Sequence, residues 1–282
     1  MSVELPRSLA GVPGPYIIGA TGGSGTRVVA RIVRRAGLFV GTHLNVSDDS
    51  LFLGDYSDRW IDRFMVTDGR SSDVAHAMVE DLDVTVAQHV AALLADGPDG
   101  GWRAWGWKEP RSIFLLPFFH RHFPGMKFLH VIRDGRDMAY SRNQNQLRKH
   151  GHTLLTEEES SRERPARSVA LWARLNSQRA DYGETLLGER YLRIRFEDLC
   201  RAAHPTVERI LRFLGVPGDA AEIARLEVTP PASLERWREQ DPSELAALTD
   251  IAGPALARFG YLAGGGGEAP ESQRAGAEGS GS

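Results

Sequence analysis

Cysteine is nearly absent: the 282-residue chain holds one, Cys200. A disulfide framework within the chain and a cysteine-based zinc site are both excluded. Long apolar runs are missing too. No stretch reaches the roughly 18 apolar residues that a membrane-spanning helix needs, so no membrane span is expected. The opening residues, MSVELPRSLAGVPGP, have no apolar core of the secretory type, and a soluble, cytoplasmic protein is expected. A charge excess is the third absence. With 34 Lys and Arg against 37 Asp and Glu, the net charge is −3, which gives no general attraction to nucleic acid or to an anionic membrane. Any anion must therefore be held by individually placed cations. What remains is ordinary for a globular protein, 41% hydrophobic and 8% aromatic, and the length suffices for one large α/β core. The abundance of Ala, Gly and Arg fits a GC-rich bacterial genome.

The chain is organised around residues 16–35. Tyr16-Ile17-Ile18 is a short apolar run of the kind that fits a buried parallel strand. Gly19, Gly22, Gly23 and Gly25 follow, interleaved with Thr21, Ser24 and Thr26. Then Val28, Val29, Ile32 and Val33 give the stripe of an amphipathic helix. A strand, a glycine-rich turn and a helix aim several backbone N–H groups and the positive end of a helix dipole at one point. The alternative is a tight turn that binds nothing, but such a turn seldom needs four glycines.

Downstream, residues 37–40, 105–108, 128–132 and 191–196 read as further strands, 128–132 the clearest buried one. Helical patterns read at 73–95, 112–122, from 133 to about 147, at 168–187, 204–214 and 219–226, and near 242–258. Residues 41–70 show no clean period and are expected to be irregular and functional. Residues 148–167 have the composition of a mobile loop or lid. Strands alternating with helices predict an α/β fold of three layers around a central parallel sheet. One domain over 1–263 and a disordered Gly/Ser-rich tail over 264–282 are expected.

The loop Gly19-Ala20-Thr21-Gly22-Gly23-Ser24-Gly25-Thr26 admits three anions. A nucleoside-triphosphate loop wants Lys after its last Gly, and here Thr26 stands there. GATGGSG is similar to the glycine turn of NAD(P)-binding short-chain dehydrogenases. That fold, however, wants a charged residue just past the second strand, where Val40-Gly41-Thr42-His43 offers none, and no Tyr-x-x-x-Lys occurs. Against both stands FLHVIRDGRDMAYS, residues 128–141, with Arg133 at a strand end and Ser141 eight residues on, about two helical turns. This resembles the motif that grips the 3′-phosphate of PAPS (3′-phosphoadenosine-5′-phosphosulfate) in sulfotransferases. YLRIRFEDL followed by Phe213-Leu214-Gly215, and the segments around Arg236 and Gly260-Tyr261, resemble the later parts of the same family. The similarity runs in order through most of residues 16–262, leaving out 41–70, 148–167 and the tail.

The resemblance implies a P-loop-like sulfotransferase fold and PAPS as cosubstrate. Gly22, Gly23, Ser24, Gly25, Thr26 and Arg27 would hold the 5′-phosphosulfate, and Arg133, Ser141 and Arg236 the 3′-phosphate. No metal is implied, and PAP is the product. Many members carry a cation at the position occupied here by Gly23, so the cation must come from elsewhere. Arg27 and Lys108 are the candidates, and Trp107-Lys108-Glu109-Pro110 resembles a turn that carries a catalytic Lys in some members. For the general base, His43 and Asp49 rank equally, with Glu109 behind. The acceptor would be a small molecule, a sugar or a lipid bearing a hydroxyl or an amine, with Phe52, Trp60, Phe64 and Trp105 as an apolar pocket. A homodimer is compatible with the resemblance. An oxidoreductase built on GATGGSG is the rival, and a catalytically silent nucleotide-binding module a third reading.

Overall fold

The computed structural model describes residues 11–67, 71–94 and 101–262. Five short strands pair in parallel within them: β1 (Tyr16–Ala20), β2 (Leu38–Phe39), β3 (Ala104–Lys108), β4 (Lys127–Ile132) and β5 (Tyr191–Arg195). Their spatial order is β2-β3-β1-β4-β5. Because successive side chains of a strand point to opposite faces, each strand feeds two cores. Ile17, Trp105, Trp107 and Phe128 enter one, while Tyr16, Ile18, Ala20, Leu129 and Val131 enter the other. Trp105 and Trp107 are wholly buried. At roughly 200 Å² of ring surface each, they contribute at most about 5 kcal/mol apiece in transfer free energy.

Helices cover both faces. On one lie α1 (Thr26–Arg35) and, later in the chain, α9 (Phe196–Arg201), α10 (Ala203–Leu214) and α11 (Ala220–Glu227). On the other lie α2 (Leu51–Thr67), α3 (Ser72–Val90), α4 (Leu116–His122), α6 (Asn145–His150) and part of α8 (Arg164–Tyr182). A third cluster joins α8 to α5 (Gly135–Ala139) and α12 (Pro242–Arg258); α7 (Glu157–Ser160) is a single turn. The expected three-layer α/β fold is present. In such a sheet the loops beyond the carboxyl ends of the strands form a crevice where the strand order reverses, which here is at β1. The loops after β1, β3 and β4 all open there.

Four expectations need correction. Residues 41–70 are not irregular throughout: α2 buries Leu53, Tyr56, Ser57, Trp60, Ile61 and Phe64 on one stripe, and Asp and Arg residues between them obscured the period. The helix expected from 133 to 147 is two helices, because side chains compete for its backbone. The Ser141 hydroxyl accepts from the Asn143 N–H, and Gln144 donates to the carbonyls of Met138 and Ser141. Residues 148–167 are not a loose loop. Thr156 and Glu159 form a capping box on α7, and Arg174 of α8 grips the Glu159 carboxylate at 2.8 Å. Finally, Trp60, Phe64 and Trp105 are core residues and line no acceptor pocket. The tail and most of the lead-in fall outside the described residues.

Candidate active site

The loop after β1 is shaped by two glycines. Gly23 and Gly25 adopt φ of +86° and +84°, where an L side chain is strained. A Cβ on Gly25 would also stand 2.2 Å from the Phe196 ring, and one on Gly23 would stand 3.2 Å from the Ser141 hydroxyl. The loop therefore passes flush against its neighbours. Ser24 is fully buried and donates to the Thr21 carbonyl at 2.7 Å, holding the turn closed. At the start of α1 no side chain caps the helix and no acidic residue sits in its first turn. Its first N–H groups and the positive end of its dipole are left for an external anion.

Next to this loop lies the turn 45–50. The Asn45 side chain accepts from the N–H groups of Ser47 and Asp49 at 2.7 and 3.1 Å and donates to the Asp49 carboxylate at 3.0 Å. Asp48, between them, sits at φ +61° and is tied to Arg31 of α1 at 3.2 Å. A non-glycine residue at positive φ persists only where its surroundings hold it. The turn presents the Ser47 carbonyl and the Asp49 carboxylate to Lys108 at the end of β3. Lys108 is 2% exposed and donates to both, at 2.8 Å to the carbonyl. A buried ammonium requires such partners. Arg27, at the start of α1, donates to the Ser47 hydroxyl at 3.0 Å. The two candidate cations thus meet at one residue, and Asp49 is in contact with one of them. His43 is exposed and packs against Phe52 at 5.0 Å between ring centroids, outside this cluster.

Beyond β4, Arg133 is buried and paired with Asp137 at 2.7 Å, and donates as well to the Ser233 carbonyl. Asp137 accepts from the N–H groups of Glu235 and Trp237, so the 233–238 segment is folded over Arg133. This brings in Arg236, whose Nε is buried without a hydrogen-bond partner among the described residues. Burial, and then the nearby Arg133 and Arg142, hold the Arg236 guanidinium below its ordinary pKa. Crowded cations with an unsatisfied donor favour an anion between them. Ser141 stands two residues past Ala139, the end of α5, against Gly23, rather than on a continuous helix.

Glu109 follows Lys108 and is buried. Burial pushes its carboxyl up, partly offset by Arg111, which it holds at 2.7 Å, while Asp49 pushes the same way as burial. Arg111 also reaches Asp58 of α2, so it braces the turn against that helix.

A family model described as the sulfotransferase family matches residues 19–220. The chain belongs to the sulfotransferase family. Among solved structures, this sulfotransferase is similar to the sulfotransferase domain of an olefin synthase from Synechococcus PCC 7002, at 17% identity, TM-score 0.53, with 89% of this chain and 96% of that one covered. It is similar also to a sulfotransferase from Alicyclobacillus acidocaldarius, at 17% identity and TM-score 0.52, covering 88% and 95%. The sulfotransferase domain from the curacin biosynthetic pathway matches at 16% identity and TM-score 0.50, covering 89% and 99%. No curated protein sequence matches. The family match sets the oxidoreductase reading of GATGGSG aside: the protein is a sulfotransferase enzyme. Sequence reasoning missed Asn45, Ser47 and Asp48 of this sulfotransferase as the frame that joins Lys108 to Asp49. The signal was an Asn followed by Ser and Asp at alternate positions, a side-chain-mimicked turn. It missed as well that Asp137 accepts from backbone N–H groups about a hundred residues away.

Proposed function

We propose that this sulfotransferase moves a sulfuryl group from PAPS to a hydroxyl (or amine) of a small-molecule, sugar or lipid acceptor and releases PAP. The observation that carries the reading is a pair of anion-ready points on neighbouring strands. One is the uncapped start of α1 after β1; the other is the Arg133–Arg236 cluster after β4. A donor with a 5′-phosphosulfate and a 3′-phosphate presents two separated anionic groups of this kind. The glycine loop and the unsatisfied Arg236 Nε fit such a ligand, with Gly22 to Thr26 at the first group and Arg133, Ser141 and Arg236 at the second.

Sulfuryl transfer resembles phosphoryl transfer, so positioning and electrostatic stabilisation supply most of the rate. Asp49 takes the proton of the acceptor hydroxyl as its oxygen forms the new bond to sulfur. The bond from sulfur to the phosphate oxygen breaks, and its electron pair stays on PAP. Lys108 and Arg27, both resting on Ser47, stabilise the charge that develops there, in place of a cation at Gly23. In this reading Lys108 breaks part of its contact with Asp49 to meet the leaving oxygen, which frees the carboxylate for the proton. His43 takes no part. The catalytic domain extends to residue 263, and the enzyme works in the cytoplasm; among the described residues no helix is long and apolar enough to cross a membrane.

Turnover with radiolabelled PAPS tests the assignment. Lys108→Ala is expected to abolish transfer and leave PAP binding nearly intact. If Lys108→Ala keeps most of the turnover number, Arg27 is the catalytic cation and the role given to Lys108 is wrong.

A further inference from the structure

A cleft of about 260 Å³ opens beside the glycine loop, with Gly22 and Asp49 on its wall together with Asp55, Asp58, Arg111 and Lys149. Of the 15 described residues that line it, 11 have polar side chains and none is aromatic. Aryl and long-chain acceptors draw their affinity from apolar and aromatic walls. This cleft offers them almost none.

Its polar groups include both acceptors and donors. Asp55 and Asp58 lie three residues apart on α2 and so share a face. Asp58 is held by Arg111 and, at 2.7 Å, by Lys149. Burial pushes the Asp58 carboxyl up, but Lys149 and Arg111 outweigh it, so it stays below its ordinary range and charged. Asp55 makes no hydrogen bond or ion pair with any described residue. Gln146, 6% exposed, also lines the cleft; its Nε2 donates to the Ala20 carbonyl, and its Oε1 has no partner among the described residues. A carboxylate beside a guanidinium or ammonium matches neighbouring hydroxyls on a ring, one donating and the next accepting.

We propose that the acceptor is a polyhydroxylated, sugar-like molecule, gripped by Asp55, Asp58, Arg111 and Lys149 so that one of its hydroxyls reaches Asp49. This rests on the sulfuryl-transfer reading above and narrows it. The hydroxyl's proton passes to the Asp49 carboxylate, its oxygen becomes the sulfate-ester oxygen, and PAP leaves with the electron pair of the broken bond. Asp55 and Asp58 are specificity residues that hold ring hydroxyls not undergoing reaction.

The test is transfer from radiolabelled PAPS to a fixed panel, comparing glucose, glucosamine, myo-inositol and trehalose with para-nitrophenol and dodecanol. PAP binding is measured in parallel by calorimetry. A hydroxylated ring is expected to have the highest kcat/KM. Asp55→Ala is expected to raise its KM on the order of tenfold, the loss of a charge-assisted hydrogen bond, with PAP affinity and melting temperature unchanged. Asp55 is exposed, so the substitution leaves the fold intact. Preference for para-nitrophenol or dodecanol, or an unchanged KM in Asp55→Ala, overturns the inference while PAP binding upholds the donor. A chain that binds no PAP overturns the donor reading and this inference with it.

Discussion

Replacing Asp49 by alanine removes the one carboxylate among the described residues that pairs with the Lys108 ammonium, which is 2% exposed. The Ser47 carbonyl then remains as its partner. Removing one side of a buried ion pair costs about 3–5 kcal/mol, because the other charge stays desolvated. Asp49 is itself 18% exposed, so solvent already reaches the edge of the pair, and the lower end, about 3 kcal/mol, applies. In a chain of this size that loss lowers the melting temperature by about 6–12 °C. Lys108→Met is milder. It leaves Asp49 partly wet and still held by the Asn45 amide, at a cost of about 1 kcal/mol. The double variant carries no orphaned charge, so it should be more stable than Asp49→Ala alone, with a coupling of about 2 kcal/mol. Urea unfolding of the wild type, both single variants and the double variant at pH 7 measures all four terms. An Asp49→Ala protein within about 0.5 kcal/mol of wild type, or a double variant equal to the sum of the singles, refutes the reasoning.

Arg236→Ala should weaken PAP binding by about 1.5–3 kcal/mol, the scale of a charged hydrogen-bond donor, with no loss of fold stability because its Nε has no hydrogen-bond partner among the described residues; titration calorimetry with PAP checks this. Acid should destabilise the fold through two histidines outside the site. Burial holds His89 and His130 at about 4 against an ordinary 6.5. Between those values the unfolded chain takes up protons that the fold refuses, so stability is full above 6.5 and falls as the pH drops through the window. From pH 7 to pH 5 the loss is about 2 kcal/mol per histidine. Glu109 and Glu197, whose carboxyls burial pushes up, act in the opposite direction toward lower pH. Urea unfolding at the two pH values, repeated on His89→Gln, should therefore show a smaller acid loss in the variant; an equal loss contradicts the assignment.

The fold was legible where one signal dominated. Tyr16 to Val33 shows a strand, four glycines and a helix in a single run, and Phe128 to Ile132 of β4 is apolar but for His130. Its breaks were hidden. The interruption after α5 depends on Ser141, Asn143 and Gln144 competing for backbone groups, and such residues are equally at home on a helix surface. Helix α2 was missed because its buried stripe is diluted by Asp55, Asp58, Arg59 and Asp62. The proposed donor end of the site is written in local motifs, which is why Gly22 to Arg27 and Arg133 could be put forward as its residues. The acceptor end is not, since Asp49 meets Lys108 across nearly sixty residues and the cleft draws on α2, the Glu109 turn and α6. The apolar pocket expected from Trp60, Phe64 and Trp105 failed for a related reason: large rings report burial, and only the fold decides between core and cleft.

The donor is the central claim, and ligand-dependent unfolding tests it most directly. PAP at about 100 times its dissociation constant should add about 2.7 kcal/mol to the unfolding free energy, while NADPH at the same concentration adds nothing. Stabilisation by NADPH, with no response to PAP, would contradict the account.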